Sequence, residues 1–143
     1  MTPNAIVNQI QTHFKTLIAD VRELETAYDN VIPELTTYAD PQVNFTEVER
    51  WAEVHVLLGT RFVAEFGNPK NYRTPGVLFV NLFEKMGEGT ETIGAHMDAI
   101  VAAFQGVTRD GIVYEVPNPT RLGRQGSKFQ ISVQCPFRHD DLQ

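Results

Sequence analysis

The sequence predicts an α+β fold: an antiparallel or mixed β-sheet with two main helices packed on one of its faces. Apolar residues recur at helical spacing near the N-terminus and again over residues 90–106, whereas the other ordered segments alternate with the period of a strand. The order along the chain is therefore helix, strands, helix, strands. With 143 residues, of which 42% are hydrophobic and 21% charged, we expect one globular domain over residues 1–143.

The first helix is expected to begin with Thr2 as its cap and Pro3 at the first helical position. Its predicted apolar face, which should cover the sheet, consists of Ile6, Ile10, Phe14, Leu17 and Val21. A short edge strand is expected within residues 24–30. Residues 31–46 contain two prolines and predict a long irregular connection.

Residues 51–67 predict a β-hairpin, because Gly59 at the first turn position suits a type II′ turn. In the expected register Leu57 pairs with Phe62. Residues 76–83 then give the strongest strand signal, since both faces of that strand are apolar. Val77, Phe79 and Phe83 point to one side, and Leu78, Val80 and Leu82 point to the other.

The second helix is predicted to begin near Thr90 and to end at Gly106, a favourable residue just past a helix terminus. Its expected buried residues are Ile93, Met97, Ile100, Val101 and Phe104. Two further strands, at about Ile112–Val116 and Lys128–Cys135, are expected to form a hairpin around the loop 117–128.

The charge of the chain is unevenly distributed. The net charge of −6 disfavours a general nucleic-acid-binding protein, but residues 107–143 hold five basic against four acidic residues. Most of this positive charge lies in the glycine-rich loop that carries Arg121, Arg124 and Lys128. The loop is predicted to be a flexible hairpin tip, either solvated or in contact with a phosphate or a partner.

Catalytic and cofactor-binding motifs give no positive signal. The loop with Gly87 and Gly89 lacks the third glycine of a dinucleotide-binding fingerprint and the Gly-Lys-Ser/Thr of a nucleotide-triphosphate loop. Cys135 lies in an alternating apolar strand, so it is expected to be a buried, inert thiol. The histidines lack the spacing of a helical metal site. We therefore predict no cofactor, no metal and no enzymatic activity.

Targeting signals are also missing from the sequence. No apolar run approaches the length that spans a bilayer, and the N-terminus lacks a basic region followed by an apolar one. A soluble protein made in the cytosol, without a membrane partner, is the expectation.

Five segments resemble the tail terminator-like proteins of tailed phages and prophages. They are AYDN at 27–30, ERWAEVHVLLG at 49–59, YRTPGVLFVNLFEKMGEGT at 72–90, VAAFQG at 101–106 and VQCPFRHDD at 133–141. The resemblance implies a structural virion protein, assembled in the host bacterial cytoplasm and located in the virion tail. Such a protein caps the tail tube as a ring, usually a hexamer, ends tail polymerisation and provides the head-joining surface.

The resemblance also implies partners: further copies of the chain, the tail tube protein and a head completion or connector protein, with DNA only passing through the ring lumen. Candidate residues for the subunit or tube interface are Arg61, Arg73, Phe79 and Phe83, and the candidate lumen or partner loop carries Arg121, Arg124 and Lys128. The second apolar face of the hairpin and central strand is covered either by a neighbouring subunit or by the first helix. A small intracellular binding module or monomeric α+β enzyme is the alternative function.

Arg73 precedes Thr74 and Pro75, and the proline holds the preceding residue extended. The guanidinium is therefore expected to project in a fixed direction from the start of the central strand. It suits pairing with a carboxylate, either within the chain or across a subunit boundary. We expect the boundary.

Overall fold

The computed structural model describes residues 2–22, 24–28, 50–67, 71–85, 91–125 and 128–142. Its helical elements are α1 (Pro3–Phe14), a π-helical segment (Lys15–Ala19), α2 (Asp20–Arg22) and α3 (Glu91–Phe104). Its strands are β1 (Glu25–Ala27), β2 (Arg50–Leu58), β3 (Phe62–Glu65), β4 (Asn71–Lys85), β5 (Thr108–Arg109), β6 (Ile112–Tyr114), β7 (Asn118–Gln125) and β8 (Lys128–Leu142). The predicted α+β class is confirmed. The predicted connection 31–46 and the glycine loop 87–89 lie outside the described residues.

The strands form one mixed sheet of eight strands in the order β1-β2-β4-β8-β6-β5, in which β3 also pairs with β4 and β7 with β8. Among the described strands, only the pairing of the predicted edge strand β1 with β2 is parallel. The centre of the sheet is the pair β4–β8, whose 15-residue strands face each other over their full length. At about 3.4 Å per residue, this pair forms a ribbon about 50 Å long.

The hairpin predicted at Gly59 is wrong. β2 and β3 follow one another along the same edge of β4, so Leu57 and Phe62 are each opposite a residue of β4 rather than opposite each other. The break between them lies opposite Pro75, which has no N–H to donate to a neighbouring strand. The Pro75 carbonyl instead accepts a hydrogen bond of 2.7 Å from the N–H of Gly59. The proline therefore interrupts one long strand without turning it back.

The described helices pack on one face of the sheet, as predicted. Alternate residues of β2, β4 and β8 are buried there with residues of α1 and α3 in a single hydrophobic core. The rings of Phe14 in α1 and Phe104 in α3 stack with their centroids 6.5 Å apart, so the two helices also contact each other above the sheet. We call this side of the sheet the covered face and the opposite side the open face.

The π-helical segment changes which side of the first helix is buried. Ile6, Ile10 and Phe14 are buried as predicted, but the next buried residue is Ile18, and Val21 is 72% exposed. A hydrogen bond in a π-helix spans one residue more than in an α-helix. After this segment, the residue that faces the sheet is therefore one position further along the chain than α-helical spacing predicts. The assignment of Val21 to the buried face was therefore wrong.

The second helix and its end agree with the sequence. Gly106 follows it with a φ of 65°, a left-handed conformation that favours glycine. A tight turn then joins β5 to β6, with φ of 51° at Asp110 and 78° at Gly111. Asp-Gly is a strong signal for such a turn.

Candidate interaction surfaces

The open face carries an aromatic cluster at one end. The rings of Trp51 in β2 and Phe83 in β4 stack with centroids 5.1 Å apart, and Ala27 packs beside them. The ammonium nitrogen of Lys128 lies 4.7 Å from the centroid of Trp51. A cation over an aromatic face is attracted by the ring quadrupole, so Lys128 is held against this cluster and covers part of it.

The centre of the open face mixes polar and aromatic side chains across the strands. Residues opposite one another share a face, so Glu53, Asn81, Ser132 and Thr120 form one row over β2, β4, β8 and β7. Phe79 lies in the next row, partly exposed. Further along the same face Leu57 is 59% exposed. Aromatic side chains among amides and hydroxyls are typical of protein interfaces.

The structure places Phe79, Phe83 and Arg73 on this open face, so it brings three of the four predicted interface residues to one side of the sheet. Arg73, however, is already paired within the chain. Its Nε and Nη2 donate to the two oxygens of Asp140 over 2.7 and 3.1 Å. These hydrogen bonds hold the pKa of Asp140 below its ordinary value. Arg73 therefore has a carboxylate partner within the chain, and its pairing across a subunit boundary stays a prediction.

Arg61, the fourth predicted interface residue, also has partners within the chain. Its Nη2 lies 3.3 Å from a carboxylate oxygen of Asp141, and its guanidinium carbon lies 4.9 Å from the ring centroid of Tyr72. Arg61 and Arg73 both have partners within the chain. A contact with another subunit would therefore involve the part of each guanidinium that is still exposed.

The predicted basic loop is mostly a strand. Arg121 and Arg124 lie on β7, which pairs with β8, and the only undescribed residues between these strands are 126 and 127. Arg121 is opposite Ile131 and Arg124 opposite Phe129, which places both arginines on the covered side of the sheet. Lys128, by contrast, lies on the open face. The predicted flexible tip carrying three clustered charges is therefore wrong.

Three arginines differ from the others in their surroundings. Arg109, Arg121 and Arg124 are exposed and have no ion pair or hydrogen-bond partner within the described part of the chain. The other arginines contact His96, Glu84, Asp141, Asp140 and Glu115, in chain order. All three unpaired guanidiniums lie on β5 or β7, at one edge of the sheet.

A partly buried polar chain that the sequence pattern does not predict links α1 to the β5–β6 turn. The ring nitrogens of His13 lie 2.6 Å from the hydroxyl of Tyr114 and 2.7 Å from Oδ2 of Asp110. Burial raises the pKa of Tyr114, so its hydroxyl stays protonated. His13 and Tyr114 are both buried, and the arrangement therefore fixes the helix to the turn.

A second polar contact joins α2 to α3. Nε of Arg22 donates to Nδ1 of His96 over 2.7 Å. Burial, with the nearby positive charges of Arg22 and Arg50, lowers the pKa of His96 to about 4. His96 is therefore neutral at physiological pH, with its proton on Nε2.

Arg50 also pairs with Glu84, a carboxylate that is completely buried on the covered face. The Arg50 Nε lies 2.5 Å from Oε1, while Oε2 has no hydrogen-bond partner among the described residues. Glu84 is thus held by Arg50 through one of its two oxygens, at the end of β4.

Two candidate kinds of reactive site were checked by the structure: the lone cysteine and clusters of metal-ligating side chains. Burial raises the pKa of the Cys135 thiol to about 12, which keeps it protonated. Within the described ranges no three His, Cys, Asp or Glu side chains are grouped so that they could hold a metal ion. No described helix is long and apolar enough to cross a membrane.

Comparisons with known proteins show the fold and no function. No family model matches the chain, and no curated protein matches it. The chain is similar to a solved structure of a protein whose name describes no function, with 15% sequence identity, a TM-score of 0.58, and coverage of 95% of this chain and 94% of that chain. At this identity the likeness extends to the α+β architecture alone.

Proposed function

We propose that this protein is a structural component of a phage tail, which caps the tail tube as a ring of identical copies and ends its polymerisation. The observation that carries the proposal is the open face of the sheet, where Phe79, Phe83 and Leu57 lie outside the helix-covered core. The resemblance of five segments along the chain to tail terminator-like proteins supports the same role.

The architecture suits a cap. A tail terminator must hold a stiff surface against the last ring of the tube. Its other side must be a surface to which a further tube subunit cannot bind. The β4–β8 ribbon provides the stiffness, and the mixed aromatic and polar side chains of the open face provide a surface that can be specific for one partner. No step of this function needs an active site.

The partners of the proposed cap are further copies of the chain, the tail tube protein and a head completion protein. Assembly takes place in the host cytoplasm, and the protein remains in the virion tail. DNA passes through the lumen of the ring without being bound specifically, which is compatible with a net charge of −6.

The test is complementation in the phage or prophage that encodes the chain. Without the gene, tails should be overlong and headless, and the parent gene should restore their normal length in electron micrographs. We expect Phe79→Asp to leave tails overlong, because a charge in the open face must be desolvated on docking. Val21→Asp, which changes an exposed apolar residue of α2, is the matched control and should restore normal tails.

Two outcomes would contradict the proposal. Tails of normal length in the absence of the gene would remove the capping role. Normal tails with a stably folded Phe79→Asp protein would remove the open face as the docking surface. The circular dichroism and melting temperature of the purified variant establish that it is folded.

A further inference from the structure

The sheet has two opposite edges of different chemistry. β7 and β5 lie beyond the outer edge of β8, whereas β3 lies beyond the outer edge of β4. Because β4 and β8 are adjacent, these strands border the sheet on opposite sides. We call Arg109, Arg121 and Arg124 the basic rim, and Phe62, Glu65 and Phe66 the β3 rim.

The basic rim carries charge that nothing else in the described chain neutralises. Arg121 and Arg124 are close together on β7, whereas Arg109 lies further along the same side of the sheet, near the other end of β8. The three guanidiniums of the rim are exposed and unpaired, and Leu122 between two of them is 45% exposed. Guanidinium groups pair strongly with carboxylates when the geometry permits a two-point contact. The rim is therefore suited to an acidic surface that also has apolar groups.

The β3 rim has the complementary composition. Phe62 is 47% exposed and Phe66 is 87% exposed. Two large aromatic side chains therefore lie in solvent, outside the closed core. Glu65 between them is exposed and forms no ion pair within the described ranges, although it lies near enough to interact electrostatically with Arg73. Aromatic residues beside one carboxylate can receive arginines both through ion pairing and through stacking on the rings.

We propose that the β3 rim of one copy docks against the basic rim of a second copy. This inference rests on the proposed ring and names the surfaces by which its copies meet. Pairing the basic rim with itself about a two-fold axis would bring arginines against arginines, and pairing the β3 rim with itself would bring Glu65 towards Glu65. Head-to-tail docking satisfies one rim of each copy and leaves the other available for a further copy, and such an interface forms a ring when the rotation between copies closes.

Side chains rather than backbone make this contact. Pro119 and the bulge between Arg121 and Gly123 interrupt the regular hydrogen-bonding edge of β7. Proline and bulges are devices that prevent a strand from being extended by another chain. The basic rim is thus closed to unspecific strand addition while its arginines remain accessible.

The test uses two variants that block one rim each. Glu65→Arg with Phe66→Arg reverses the charge of the β3 rim, and Arg121→Glu with Arg124→Glu reverses that of the basic rim. Neither pair of changes affects the core, because all four side chains are exposed. Self-association of each purified protein is measured by sedimentation velocity, with Val21→Glu as the matched control on α2.

We expect the parent and the control to associate and each blocked variant to show at least a tenfold higher dissociation constant. An equimolar mixture of the two blocked variants should associate again, because each variant retains the rim that the other lacks. A mixture that stays monomeric, a blocked variant that associates like the parent, or a parent that is monomeric at its highest soluble concentration would overturn the inference.

A nucleic-acid role for the basic rim is distinguished in the same samples. If Arg121→Glu with Arg124→Glu abolished binding to a short DNA duplex and left self-association unchanged, the rim would be a phosphate-binding surface and the inference would be wrong. The capping role is judged separately by tail length, so the two proposals can fail independently.

Discussion

On the central strand β4, Leu78 and Phe79 are neighbours in sequence but belong to different parts of the molecule. Leu78 is 1% exposed beneath the helices, whereas Phe79 lies partly exposed on the open face. Both side chains are large and apolar, so composition does not distinguish them. What separates them is the alternation of the strand and the presence of helices on one side only. An apolar strand therefore indicates burial on one face and leaves the use of the other face undetermined.

The largest difference between the two faces should appear in stability. Leu78→Ala should lower the free energy of unfolding by about 2–5 kcal/mol, since it leaves a cavity in the closed core. Phe79→Ala should cost about 1 kcal/mol, because the ring is already partly in water. Urea unfolding of the two variants measures both. Equal losses would show that the open face is as closely packed as the covered one.

Replacing a glycine by alanine should have opposite effects on stability at two positions, one in the sheet and one in a helix. A Cβ on Gly76 would lie 2.6 Å from the Leu57 carbonyl oxygen and 2.4 Å from Cζ of Phe137. Gly76→Ala should therefore destabilise by about 1–3 kcal/mol, as overpacking does. At Gly94, inside α3, the nearest described atom to a Cβ would be Nη2 of Arg121, at 3.8 Å.

Gly94→Ala should consequently stabilise the protein by about 0.5–1 kcal/mol, the helix-propensity difference between the two residues. Thermal unfolding of both variants provides the check. A destabilised Gly94→Ala protein would mean that the approach of β7 to α3 is tighter than the 3.8 Å contact implies.

The covered face should also respond to acid through His96. Its pKa in the folded protein is about 4, lower than the value of 6.5 for the free side chain, so the folded state binds the proton less well than the unfolded state. The stabilisation is complete above pH 6.5 and is lost as the pH falls towards 4. Its slope is at most about 1.4 kcal/mol per pH unit.

The measurement is urea unfolding of the parent and of His96→Gln across this pH range. Glutamine can still accept a hydrogen bond from Arg22 but does not titrate, so the variant should lose less stability on acidification. If the two pH profiles are parallel, other groups dominate the acid response.

The sequence was sufficient to predict the fold class, the edge strand β1, the second helix and most of the core, because these depend on local periodicity. The predictions failed where a residue far away in the sequence determines the local structure. Gly59 has the sequence signal of a hairpin turn, but β2 and β3 continue along the same edge of β4. The missing N–H of Pro75 interrupts the hydrogen bonds between β4 and this edge without turning the chain back. Val21 was displaced from the core by a change of helical hydrogen bonding that no residue pattern marks.

The site residues show the same limit. Charges close in sequence were predicted to act together, yet β-strand alternation sends Lys128 to one face and Arg121 to the other. Conversely, Arg109 joins the basic rim only because β5 and β7 border the same side of the sheet. Spatial grouping of side chains on a sheet depends on strand order, and the strand order could not be derived from spacing alone.

The smallest expected effect concerns the ion pair on the open face. Arg73 and Asp140 are directly opposite each other on β4 and β8 and form a two-point pair, but both are exposed to solvent. Solvent screening weakens such pairs, and ordering two long side chains opposes them. Exchanging the residues, Arg73→Asp with Asp140→Arg, should therefore leave the unfolding midpoint unchanged, while Arg73→Asp alone should lower it slightly through repulsion between the two carboxylates. If Arg73 also contacts a neighbouring subunit, the exchanged protein will be as stable as the parent but will associate less well. Equal stability with equal association would limit the role of Arg73 to the chain itself.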